Sequence, residues 1–129
     1  MINLIVHGYL TEEVVQYCEK ALEAIKSIRL KSNRPLVPAE LFETSEFLLS
    51  FRSWLTNHIM EAEARYRDKV QEFKDQNMSV AASETNAKTT AEYRAYKYLN
   101  RVDDLAQEQI LLVKKFSSRL EEELRGSGY

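Results

Sequence analysis

Apolar positions recur along this chain at steps of three and four over three long stretches, the period of one helix face rather than of a strand. The first stretch carries Val14, Cys18, Ala21, Ile25 and Ile28, with Leu22 widening the stripe. It opens on a good start signal: Thr11 as N-cap, Glu12 and Glu13 in the first turn, and Leu10 and Val15 spaced as a hydrophobic staple. Ser32-Asn33-Arg34-Pro35 breaks it, and Val37-Pro38 restarts the chain in a turn or short helix. The second stripe reads Leu48, Phe51, Leu55, Ile59, Ala62, Tyr66, Val70 and Phe73, capped by Thr44 or Ser45. Its eleven-residue period favours a nearly straight helix pairing over a heptad supercoil. Gln76-Asn77-Met78 reads as a turn and Ser79 as the next N-cap. The third stripe is Ala87, Ala91, Ala95, Leu99, Val102, Ala106, Ile110 and Val113, then Leu120 and Leu124, with Gly126 past its end and a possible interruption at Thr89-Thr90. Before all of these, Met1 to His7 is β-rich and ends at Gly8, so it reads as a short strand or an extended arm.

The elements assemble into one all-α domain over residues 1–129, a long antiparallel helical hairpin with a shorter N-terminal helix on its wide end. Its parts are an arm or strand at 1–10, helices at 11–30, 45–75 and 79–124, and a tail at 125–129. Folding the second helix back on the third about residues 77 to 78 brings Ala62 near Ala91 and Ala95, and Phe51 near Val102 and Leu105. Small residues meet at one end and large ones at the other, where Phe47, Leu48, Trp54, Leu112 and Phe116 also lie. At ~1.5 Å per residue the first helix spans ~28 Å against ~45 Å or more for either arm, so it covers only part of the hairpin. The Ala-rich end then projects as two helices, which bury little alone, and a second copy is expected to pack there or against the N-terminal segment.

Composition adds limits. Three Gly and two Pro leave few turns and therefore few, long elements, and 44% hydrophobic residues suffice for a core. A net charge of −2 from 18 basic and 20 acidic residues gives neither a nucleic-acid coat nor a DNA mimic. The lone Cys18 excludes an internal disulfide and a thiolate zinc site, and points to the cytoplasm. The apolar opening lacks a basic n-region and cleavage site, and no run approaches the ~20 apolar residues of a membrane span.

Candidate chemistry is sparse. His58 with Glu61 and Asp104 with Glu108 have the local spacing of metal ligands in bundles, but a di-metal site needs Glu-x-x-His twice plus two further inward carboxylates. Cys18 sits in an apolar stripe with no His in helical reach, the setting of a small hydrophobe rather than a nucleophile. No Gly-rich phosphate loop or nucleophile elbow occurs. No catalytic residue, metal, cofactor or small-molecule substrate is therefore expected. One segment stands out. Lys88, Arg94, Lys97 and Arg101 face a single acid, Glu92, with Tyr93, Tyr96 and Tyr98 interleaved, and Arg65 and Arg67 flank Tyr66 across the hairpin. Such a surface suits a protein hot spot, or phosphate contact with base stacking.

Three stretches, Glu63-Ala64-Arg65-Tyr66-Arg67, Lys88-Thr89-Thr90-Ala91-Glu92-Tyr93-Arg94 and Val113-Lys114-Lys115-Phe116, resemble small all-helical proteins of bacteriophage and prophage genomes, often encoded beside replication or recombination genes. The resemblance covers about residues 60 to 124 and not the first 45. It implies a phage accessory role and no residue-level activity. The resulting expectation is a non-enzymatic protein-interaction module, homo-oligomeric, contacting its partner through Arg65, Arg67, Lys88, Tyr93, Arg94, Tyr96, Lys97 and Arg101. The alternative is a nucleic-acid-binding accessory protein that uses the same basic and tyrosine face.

Overall fold

A computed structural model describes residues 3–30 and 38–127 of the chain. Five helices follow in order: α1 (Leu4–His7), α2 (Glu12–Leu30), α3 (Pro38–Asp75), α4 (Val80–Ala87) and α5 (Ala91–Ser127). There is no strand among the described residues. The break at Ser32 to Pro35 lies outside them.

The opening segment is neither strand nor extended arm. Asn3 Oδ1 accepts the Ile5 N–H at 3.0 Å and His7 Nδ1 accepts the Asn3 N–H at 3.1 Å, which closes one helical turn. A lone β-rich stretch has no ladder to join, so local side-chain bonds to the backbone decide its shape. Gly8 then reverses the chain at φ +60°, a left-handed conformation that glycine adopts without strain. Thr11 caps α2 weakly, its Oγ1 accepting the Val14 N–H at 3.4 Å.

Helix α3 begins at Pro38 rather than near Ser45. Proline suits the first helical position because its missing N–H would be unpaired there anyway. Leu41, two turns before Leu48, is buried and anchors the added turns, while Thr44 and Ser45 lie inside the helix. At the far end the helix closes in a Schellman motif. Asn77 sits at φ +66°, its N–H donates to the Lys74 carbonyl at 3.0 Å, and the Met78 N–H donates to Phe73. Ser79 caps α4 through the Ala82 N–H at 3.2 Å.

The return arm is broken where the two threonines stand. Thr89 Oγ1 donates to the Asn86 carbonyl at 2.7 Å and Thr90 Oγ1 to that of Ala87 at 2.6 Å. Thr90 Oγ1 also accepts the Tyr93 N–H at 3.3 Å, so one residue ends α4 and caps α5. Hydroxyls competing for the helix carbonyls make this a natural place to interrupt it.

The hairpin register is fixed across its middle by Arg52, whose Nε donates to Asp103 Oδ1 at 2.8 Å. Leu48, Phe51, Leu55, Ala62, Ala95, Leu99, Val102 and Ala106 are buried between the arms. On the wide half α2 adds Val14, Cys18, Ala21 and Ile25, and Tyr17 stacks against Phe51 at 5.1 Å and Trp54 at 4.5 Å. The shorter N-terminal helix thus packs on the wide end of a long helix pair, as the lengths require. Two expected details differ. Ala91 is only half-buried, and Leu112 faces outward at 53% exposure because it lies off the stripe that Ile110 and Val113 continue.

Candidate interaction surface

The sequence-selected residues divide into two groups by what they touch. On α3, Arg65 donates to Glu61 at 2.9 Å and lies 4.4 Å from the centre of the Tyr9 ring, while Arg67 pairs with Glu63. These are four-residue helical pairs, and the flanking acids neutralise both guanidinia. Burial raises the Tyr9 hydroxyl above the ordinary phenol range, with Arg65 opposing and Glu61 adding to the effect.

On the return arm, Arg94 reaches back to the Thr89 carbonyl at 2.7 Å and bridges the break between α4 and α5. Tyr93 and Tyr96 both turn toward Tyr66, at 5.1 and 5.9 Å between ring centres, and together fill the space between the arms where α2 no longer reaches. Tyr98 points elsewhere, edge-on to His7 at 4.6 Å. Lys88, Lys97 and Arg101 are exposed, and none has an ion-pair partner among the described residues. The structure therefore does not bring the eight residues together as one polar cluster. The tyrosines work as packing, and Lys97 with Arg101 remain as the outward charge.

That outward face does not stay basic. One helical row of α5 runs Lys97, Arg101, Asp104, Glu108, and all four are exposed. Asp104 and Glu108, which have the spacing of metal ligands, open to solvent along this row. His58 and Glu61 lie on a different helix, and among the described residues no three His, Cys, Asp or Glu side chains are grouped so as to hold a metal ion.

One concavity escaped the sequence reading. A cleft of about 270 Å³ separates the Tyr9–Thr11 segment from α3, lined by Leu10, Val14, His58, Glu61 and Arg65. The His58 ring tilts over Trp54 at 4.3 Å and Glu61 already engages Arg65. The only sequence trace of this cleft is the repeat of His58, Glu61 and Arg65 at steps of three and four, which any helix face can show.

Cys18 has no exposed surface. Burial pushes its thiol up to about 12, with the Glu19 charge adding to the effect, so the thiolate that nucleophilic chemistry needs is suppressed. No described helix is long and apolar enough to cross a membrane.

Fold and surface together define an all-α hairpin protein with a third helix on one half. No protein-family model, no curated protein and no solved structure matches the chain.

Proposed function

We propose that this protein is a non-enzymatic helical interaction module that acts as a homo-oligomer. The observation that carries this reading is the division of labour among its polar residues. Arg65 and Arg67 are paired with acids on their own helix, Arg94 is engaged by the Thr89 carbonyl and the tyrosines of the arm pack on one another, whereas Lys97 and Arg101 stand on an open helix face with nothing reactive beside them. A rigid scaffold that presents a helix face suits contact with another protein. An accessory role in a phage or prophage is the setting that its resemblance favours, in the cytoplasm. Sedimentation velocity from low to high micromolar concentration tests the reading: a rising sedimentation coefficient is expected, and a strict monomer throughout would remove the homo-oligomer.

A nucleic-acid-binding accessory role is the second reading, favoured by the unpaired Lys88, Lys97 and Arg101. Against it, the rings of Tyr93 and Tyr96 are turned inward and Asp104 and Glu108 continue the same face. Phosphate contacts release counterions, so such binding should retard single- or double-stranded DNA in a low-salt gel and fade steeply as salt is added. No retardation of either would leave the protein-interaction reading alone.

A further inference from the structure

Among the described residues, only two of the three sides of α3 are covered. Leu48, Leu55 and Ala62 are buried between the arms, and Phe47, Phe51 and Trp54 meet Tyr17 of α2. The third side carries Phe42, Glu46, Leu49, Ser53, Thr56 and Met60, all exposed, at steps of four and three. That is a seven-residue repeat, the spacing of a seam between paired helices, whereas the buried stripe of the same helix follows eleven. Phe42 and Met60 are each 63% exposed and Leu49 is 52% exposed. From Leu49 to Met60 no exposed residue is charged, in a chain of which 29% is charged. The Thr56 hydroxyl donates to the Arg52 carbonyl at 2.9 Å, so covering it leaves no donor unpaired.

We propose that two copies of this chain associate through this third side of α3, antiparallel about a two-fold axis at the level of Phe51. The proposal rests on the homo-oligomer reading above and deepens it by naming the face and the register, on the wide half of the hairpin rather than at its Ala-rich end. The steps four, three, four, three, four read the same in both directions, so the two-fold lays the row upon itself. Leu49 of one copy then meets Ser53 of the other, Phe42 meets Met60, and Glu46 meets Thr56. Each contact occurs twice, as an isologous interface demands. At the centre a large side chain lies on a small one, and two large ones close each end.

The chemistry of the face selects this occupant. A partner that brought charged groups would bury them unpaired against the uncharged window. A lipid surface is drawn to lysines and arginines beside an apolar stripe, but the exposed charges from Phe42 to Met60 are the acids Glu43 and Glu46. A second copy meets neither obstacle, because its own window is equally uncharged. A parallel pair in register would set Glu46 on Glu46 and Ser53 on Ser53, so charge and size both favour the antiparallel one. A strip ~27 Å long and ~10 Å wide falls short of the ~800 Å² per partner of a standard interface. Association is therefore expected at micromolar rather than nanomolar concentration.

The experiment places charges at the centre of the row in the full chain, Leu49→Lys in one variant and Ser53→Glu in another. The parent should dimerise with rising concentration in sedimentation equilibrium. Each variant alone should dimerise at least ~10-fold more weakly, because its dimer would bury two unpaired charges. The equimolar mixture should recover a heterodimer, in which the introduced lysine meets the introduced glutamate across the two-fold. Circular dichroism must show each variant as helical as the parent; if one is not, Phe42→Ser and Met60→Ser, at the ends of the row, take their place and should each weaken dimerisation. A parent that dimerises unaffected by these substitutions overturns this interface and leaves the homo-oligomer reading standing. A parent that remains monomeric overturns both. Charge variants that are each monomeric and fail to pair when mixed overturn the antiparallel register.

Discussion

Gly8 lies against the first turn of α5 so closely that a side chain there would run into the Ala91 carbonyl oxygen and come within 2.9 Å of the Ala95 nitrogen. The same residue holds φ at +60°, so space and backbone conformation both require glycine. This contact seats α1 on α5, with the His7 ring on Tyr98 completing it.

Gly8→Ala is therefore expected to destabilise the fold by roughly 2–4 kcal/mol, combining left-handed strain with overpacking against backbone that cannot swing aside. A urea titration reads this directly. An unchanged midpoint would mean that the N-terminal turn is not docked in solution.

Ala95 and Ala91 separate the two sides of the same turn. Ala95 has no exposed surface, and neither has Ala62 on the other arm, so Ala95→Leu should cost ~1–3 kcal/mol. Ala91 is half-buried, and Ala91→Leu should cost less because part of the added side chain can lie in solvent. Equal losses in thermal melts would place the close approach of the arms one turn nearer the tip.

The Arg52–Asp103 pair ties the arms together with side chains 31% and 23% exposed, whereas Arg67, paired with Glu63 on its own helix, is 75% exposed. The Asp103 hydrogen bond raises Arg52 above the ordinary guanidinium value, ahead of an opposing effect of burial. Arg52→Ala should cost about 1 kcal/mol and Arg67→Ala under ~0.5 kcal/mol, since exposed pairs within one helix contribute little. Chemical denaturation of the two variants makes the comparison.

Alkaline pH should unfold the protein in a defined window. Burial pushes Tyr98 up to about 12, with Cys18 and Glu19 adding to the effect, and Cys18 itself to about 12. Both groups hold their protons more tightly folded than unfolded. Their contribution is therefore fully present below their ordinary values of 9.0 for the thiol and 10.0 for the phenol, and is lost as pH climbs towards about 12. Denaturant midpoints should fall from about pH 9 upward, and Tyr98→Phe should flatten the part above pH 10. In the folded protein at neutral pH, Cys18 should not react with a thiol reagent until denaturant is added.

The stripes of the three long helices could be read from spacing alone, because a 3.6-residue period fixes which side chains share a face whatever they pack against. Leu48, Phe51 and Leu55 on one arm and Leu99, Val102 and Ala106 on the other are buried as that period demands. The turn at Asn77, the cap at Ser79 and the break at Thr89-Thr90 were legible for a similar reason, since each is settled by side chains within a few residues of the backbone groups they serve. The N-terminal turn was not. Its β-rich composition carried no information about the small-residue surface of α5, more than 80 positions away in the chain. Nor could spacing reveal that Tyr93 and Tyr96 turn inward on Tyr66 while Lys97 and Arg101 remain outside. A basic and aromatic run reads alike on any helix; only the neighbouring helix decides which of its side chains are used in packing and which are left exposed.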